Sequence, residues 1–278
     1  MIHIDASQLD HRRLNEQIRH SPGTLRITGC LGQRFIGAGA ERGRLEITGT
    51  PGNALGAYLD GACIEVRGNA QDAVGDTMND GRIIVHGSIG DAAGYAMRGG
   101  EIYVQGDAGY RAGIHMKAYG DKVPALVIGG KAGSFLGEYQ AGGIILVLGL
   151  SQTRRPIVSN FPCTGMYGGK LYLRSDGRGF LLCEPARAGR CAPCRRGRPR
   201  RDREICGELL RIFWRGSGRR HGCALYGDHA GHEKSLSSDV CFELRKAGEN
   251  MKYTPEEVMQ FVQEEDVKFI RLAFCNVY

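Results

Sequence analysis

The chain has 278 residues, room for one or two domains with a sizeable core, and it carries 43 glycines, ten cysteines and a formal net charge of +7. With no charged-then-apolar leader and no apolar run of spanning length, the expectation is a cytoplasmic protein without a membrane partner, its cysteines free thiols. The positive charge does not imply a nucleic-acid partner because it is local: residues 174–220 hold fourteen Arg, no Lys and five acidic residues, leaving the remainder slightly acidic.

The first 21 residues, with "IHIDASQLDHRRLNEQIR", read as a strand followed by a short helix, a small cap on what comes next. From residue 22 to 175 the text repeats. Glycines that close each apolar run, Gly29, Gly49, Gly68, Gly87, Gly106, Gly130 and Gly149, are spaced 20, 19, 19, 19, 24 and 19 residues apart. Two and four residues before each stands an apolar pair, from Leu25/Ile27 and Leu45/Ile47 through Ile83/Val85 to Ile145/Val147. Residues two apart share one face of a strand, so each pair marks a short strand with one buried face.

A second glycine column, Gly37, Gly56, Gly75, Gly94, Gly113 and Gly137, keeps the same step and is assigned to tight structural turns. A strand, a turn and a second apolar corner in about 19 residues make one coil of a solenoid. The predicted fold is all-β: a right-handed parallel β-helix of seven to eight coils, stacked at roughly 4.8 Å per step, with like side chains superposed. Met78, Met97 and Met116 are expected to form one such ladder. The spacing in "GSIGDAAG" is not that of a dinucleotide-binding loop, and a period of 19 is not that of a hexapeptide solenoid.

Outward positions between the apolar pairs change along the axis, from Arg26, Glu46 and Glu65 to Ile84, Tyr103, Val127 and Leu146. The later wall is too apolar for water and is expected to be covered by a partner or by another segment of the chain. At the coil edges Tyr95, Arg98, Tyr110, Arg111, His115 and Lys117 are candidates for a partner interface. No catalytic and no cofactor-binding residue is assigned. His115 lacks a paired carboxylate or nucleophile at a readable spacing. Asp60, Asp72, Asp76, Asp80, Asp91 and Asp107 fall at differing turn positions and read as turn or cap residues, against a carbohydrate-cleaving face.

Residues 176–250 change character: six of the ten cysteines lie between Cys183 and Cys241, and Arg replaces Lys through Arg220. Cys191 and Cys194 have the spacing of a zinc-ligand pair, which Cys206, His221 or Cys223 would have to complete, but no second C-x-x-C exists. "CRRGRPRRDR" has the charge of a nucleic-acid arm without interleaved aromatics. The favoured reading is a frame change near Phe180, since Arg, Gly, Pro and Cys without Lys is what a GC-rich region gives out of frame. The expectation is a poorly ordered stretch with a short helix around Glu208. Residues 251–278, "MKYTPEEVMQFVQEEDVKFIRLAFCNVY", offer a capped helix start at Thr254 and Pro255 and then one strand.

The run "TPGNALGAYLDG" with "GNAQDAVGDTMNDGRIIVHGSIGDAAGYAMRGGEIYVQGDAGYRAGIHMKAY" resembles the GXGXG domain, the C-terminal β-helix of the large glutamate synthase subunit. The resemblance covers about residues 1 to 175. It implies a non-catalytic structural subunit that braces a glutamine amidotransferase and an FMN-containing synthase, with FMN and the iron–sulfur cluster on a partner and no cofactor on this chain. A scaffold subunit of formylmethanofuran dehydrogenase resembles the same repeat and is the alternative, with a free-standing carbohydrate-active β-helix behind it. The tail is similar to the start of type I glutamine synthetase and stops before any of that family's catalytic residues.

Overall fold

The computed structural model describes residues 1–150 and 156–175, with the strand backbone at 179–183 and 195–196. The expectations for 176–250 and 251–278, including Cys191, Cys194, Cys206, Cys223 and the helices near Glu208 and Pro255, otherwise lie outside the described residues.

The chain opens with β1 (Ile2–Asp5) and α1 (His11–His20), and then runs through β2 (Thr24–Leu31), β3 (Arg44–Thr50), β4 (Asp60–Arg67), β5 (Asp80–Val85) and β6 (Glu101–Val104). β7 (Ala125–Ile128), β8 (Ala141–Val147) and β9 (Gly168–Ser175) follow. These nine strands form one sheet in chain order, every neighbour parallel, so the polypeptide is a β-solenoid. Two further strands, β10 (Gly179–Cys183) and β11 (Arg195–Arg196), extend the same sheet antiparallel. The predicted parallel β-helix and its strand-and-helix cap are present, and β1 is itself the first rung, Ile2 and Ile4 standing in register with Leu25 and Ile27.

The cap has a local cause. Asp10 is the N-cap of α1, its carboxylate accepting hydrogen bonds from the Arg12 and Arg13 amides at 2.9 Å each, and Arg19 and His20 sit in the last turn where the helix dipole favours cations. Leu14 is wholly buried and Ile18 packs beside it, so the helix lays its apolar stripe on the open end of the core. Gln33 fixes the approach, donating through Nε2 to the Ala6 and Leu9 carbonyls.

The doublets fall into two unbroken ladders. Leu25, Leu45, Ile64, Ile83, Ile102, Leu126, Ile145 and Leu171 pair in register, as do Ile27, Ile47, Val66, Val85, Val104, Ile128, Val147 and Leu173, and all are buried. β-Branched side chains suit such a surface because their restricted rotamers stack from rung to rung. Two corner columns close the interior. One shrinks over five coils, Ile36, Leu55, Val74, Ala93, Ala112, before Leu136 restores a large side chain, while over the same five the other grows, Ala40, Leu59, Met78, Met97, Met116. The two trends offset each other, keeping the cross-section filled, and Val74, Met78, Ala93, Met97, Ala112 and Met116 are all sealed from solvent. At the next rung the column holds Gln140, also fully buried, whose Nε2 donates to the Gly142 and Gly143 carbonyls.

The outward face of the sheet changes character halfway. In its first coils Arg26 bonds Glu46 at 3.2 Å across strands, Arg44 reaches Glu46 along its own strand and Glu65 on the next, and His86 Nε2 lies 3.0 Å from Glu65, a lattice of polar and charged pairs. Later, Ile84, Tyr103, Val127, Leu146 and Tyr172 form a second buried apolar cluster with Val123 and Leu150 packed against it. The buried side chains of this cluster are at most 8% exposed.

Candidate functional site

The interior is filled, so any site lies on the outside, and the corner between successive strands is the most unusual surface there. Each corner alternates residues in left-handed and right-handed backbone. The glycine column Gly37, Gly56, Gly75, Gly94, Gly113 and Gly137 has φ between +63° and +70°. At Gly75 this is required twice over, because a Cβ would also stand 2.5 Å from Ile102 Cδ1. The alternation sends successive amides up and down the stack: the Gly94 amide donates to the Val74 carbonyl and the Ala96 amide to the Ile114 carbonyl.

Two residues before and two after each glycine, the chain is left-handed again. The leading column reads Phe35, Ala54, Ala73, Ala92, Arg111, Phe135 and Phe161, with φ between +54° and +62°. The trailing column reads Gly39, Tyr58, Thr77, Ala96, His115 and Tyr139. In the later coils these positions carry rings, and the rings touch. His115 stacks on Tyr139 with centroids 5.2 Å apart and planes 11° from parallel, and Tyr95 meets His115 edge-on at 5.9 Å. Tyr110 meets Phe135 at 5.4 Å, and Phe135 meets Phe161 at 5.3 Å. The result is an aromatic edge of two rows, one on each side of the glycine column, crossing successive coils.

Arg111 is its centre. Its guanidinium lies 4.8 Å from the centroid of Tyr110 and 5.4 Å from that of Phe135, and its Nε donates to Glu138 Oε2 at 2.7 Å. Of the residues expected at the edge, the structure places Tyr110 and Arg111 in the leading row and Tyr95 and His115 in the trailing row, and the His115 amide donates to the carbonyl of Glu138, the partner of Arg111. Arg98 and Lys117 follow in the same coils, exposed, one above the other in adjacent rungs. Phe135, Tyr139, Phe161 and the buried partner Glu138 were not among the sequence candidates. They stand 24 residues or more after their counterparts, beyond the five-residue insertion that already moves Gly113 to Gly137, so column counting across it finds them.

The acidic turn residues have their own tasks. The Asp91 amide donates to Asp72 Oδ1 at 2.9 Å and the Tyr110 amide to Asp91 Oδ1 at 2.7 Å; the Lys131 amide donates to Asp107 Oδ1 at 2.7 Å. Each carboxylate thus caps the next coil. Gly90, Gly109 and Gly130 leave room for those oxygens, which a Cβ at each position would strike.

Elsewhere a cleft of about 500 Å³ opens at the start of β4, β5 and β6, lined by Cys63, Asp80, Arg82, Glu101, Asp121 and Lys122. Two of its cations are paired: Lys122 Nζ lies 3.0 Å from Asp80 and 3.5 Å from Asp60, and Arg82 lies 2.8 Å from Glu101. The Lys122 ammonium holds the Asp80 carboxyl below its usual range, and burial pushes the Cys63 thiol up, which leaves it a poor nucleophile. Among the described residues, no group of three or more His, Cys, Asp or Glu is placed to hold a metal ion, and no helix is long and apolar enough to cross a membrane.

The family model described as the GXGXG motif matches residues 11–182. The chain belongs to the GXGXG motif family. The match runs from the cap helix to the antiparallel strand that follows the last parallel rung, passing Phe180. A protein of Methanocaldococcus jannaschii, named only as uncharacterized, is 48% identical over 184 residues, covering 62% of this chain and 70% of the relative. The aromatic edge and the capping carboxylates all fall within the GXGXG match.

Proposed function

We propose that this chain is a non-catalytic structural subunit of glutamate synthase, the enzyme that forms glutamate from glutamine and 2-oxoglutarate. In this reading it works in the cytoplasm and braces a glutamine amidotransferase and an FMN-containing synthase. FMN and the iron–sulfur cluster belong to the partner. The observation that carries the reading is the family match, which spans the solenoid nearly from end to end, in a motif whose resemblance is to the β-helix of glutamate synthase. Three physical features agree with it. The interior is packed with apolar ladders, the acidic turn residues cap backbone amides, and the most distinctive outer surface is an aromatic and cationic edge of the kind proteins use to hold one another. The tail's similarity to the start of glutamine synthetase points to the same nitrogen chemistry.

The test is purification of the tagged full chain from its own cells, with co-eluting chains identified by mass spectrometry and the complex assayed for glutamine-dependent glutamate formation. The expected result is an amidotransferase and an FMN protein at fixed stoichiometry, with activity lost when this chain is depleted. Co-elution with the subunits of formylmethanofuran dehydrogenase instead, or carbohydrate cleavage by the isolated chain, would replace this reading.

A further inference from the structure

We infer that the edge from Tyr95 to Phe161 is the surface on which this subunit holds a partner protein, and that the partner meets it with carboxylates set among aliphatic side chains.

The first argument is strain without local return. A side chain in left-handed backbone costs about 1–2 kcal/mol, and bulky residues there are true outliers. The third and fourth coils hold only the small side chains Ala73, Thr77, Ala92 and Ala96 at these positions, which carry a Cβ and pay the same backbone cost. The later coils place Arg111, His115, Phe135, Tyr139 and Phe161 at the same positions and leave Tyr139 and Phe161 each 44% exposed. The alanine coils have the same hydrogen bonds and register, so the rings add nothing that the coil needs to close. Strained, exposed, contiguous rings mark a recognition surface. Phe35 and Tyr58 share the geometry at the other end and are separated from this edge by the alanine coils.

The second argument concerns what the rings can still bind. His115 and Tyr139 cover one another, and Arg111 occupies the face of Tyr110, so these faces are not open for a nucleobase or a sugar. A protein surface, which uses ring edges and hydroxyls, remains.

The third is charge. Arg111 is matched by the buried Glu138. Among the described residues Arg98 and Lys117 make no ion pair, so the edge presents two cations without counter-ions beside its rings. A second copy of this chain would bring like charges together; an acidic partner surface would not.

The identity of the partner rests on the glutamate synthase reading, and the location of the surface does not. The experiment places a photo-cross-linking benzoylphenylalanine at Tyr139, and separately at the exposed Leu31 of the first coil, in the tagged full chain in its own cells. Alongside it, Arg98→Glu combined with Lys117→Glu is compared with the unaltered chain for affinity towards the purified partner. Because both side chains are exposed and unpaired, the double variant should keep its thermal midpoint, which separates binding from folding. The expected result is cross-linking from position 139 to an acidic segment of a partner protein, none from position 31, and affinity falling about tenfold or more on charge reversal. Cross-links confined to RNA or to another copy of this chain, equal cross-linking from position 31, or affinity unchanged within about twofold would overturn the inference. Should the captured partner be neither an amidotransferase nor an FMN protein, the glutamate synthase reading falls and the edge stands. A chain that elutes alone removes both.

Discussion

Arg111 donates to Glu138 across two neighbouring coils, 27 residues apart in sequence, and the Glu138 side chain keeps only 8% of its exposure. The pair ties the aromatic edge to the body of the solenoid. Arg111→Ala should cost about 1–3 kcal/mol, because it leaves a buried carboxylate without its partner, whereas Glu138→Gln, which keeps an acceptor, should cost less. Denaturant midpoints of the two single variants and the double variant check this. The expected coupling is positive, with the double change milder than the sum of the singles.

Gly75 and Gly94 have the same φ, +67°, and different surroundings, which separates backbone strain from crowding. An added Cβ at Gly94 finds nothing nearer than 3.8 Å, while at Gly75 it meets Ile102 Cδ1 at 2.5 Å. Gly94→Ala should therefore cost about 1 kcal/mol. Gly75→Ala should add an overpacking penalty of about 1–3 kcal/mol to that. Equal thermal shifts in the two variants would contradict this account.

The sequence-to-structure relation is uneven for physical reasons. Leu25 and Ile27 announce their ladders because a strand repeats every second residue and a coil every nineteenth, two periods that cannot be confused. Met78, Met97 and Met116 announce theirs in the same way. Edge residues read from the text stop at Lys117, where an insertion delays the columns by five, although Phe135 and Tyr139 resume the places of Arg111 and His115. Glu138 is invisible to periodicity because its burial comes from the partner it binds. The reversal into β10 is equally silent: alternation marks a strand's faces and says nothing of its direction.

The carboxylate ladder predicts a graded response. Asp91→Asn keeps an oxygen for the Tyr110 amide and should be nearly neutral, while Asp91→Ala should cost about 0.5–1.5 kcal/mol and raise hydrogen exchange at Tyr110. Unchanged exchange at that amide would show that the cap does not hold the coil.

Burial pushes the Cys30 thiol up to about 11, from an ordinary value of 9.0. The unfolded chain then loses this proton at lower pH than the native chain, so the contribution is level below about 9 and stability falls as pH rises towards 11. Cys30→Ala should flatten that part of the profile, read as the difference in denaturant midpoint between the two proteins across that range. In the native protein the thiol should react slowly with disulfide reagents at pH 8, where only about one in a thousand is ionised.

The opposed columns offer the sharpest test of how the interior is filled. Met97 and Ala93 belong to the same coil, and both are fully buried. Met97→Ala should open a cavity and cost about 2–5 kcal/mol, and Ala93→Leu alone should overpack the rung at about 1–3 kcal/mol. If the growth of one column compensates the shrinkage of the other, the two changes together recreate the arrangement of the first coil, where the large Ile36 leads and the small Ala40 trails, and should be less destabilising than Met97→Ala alone. Additive losses, measured by denaturant unfolding, would mean that the two side chains fill separate spaces and that the opposed trends along the axis are unrelated.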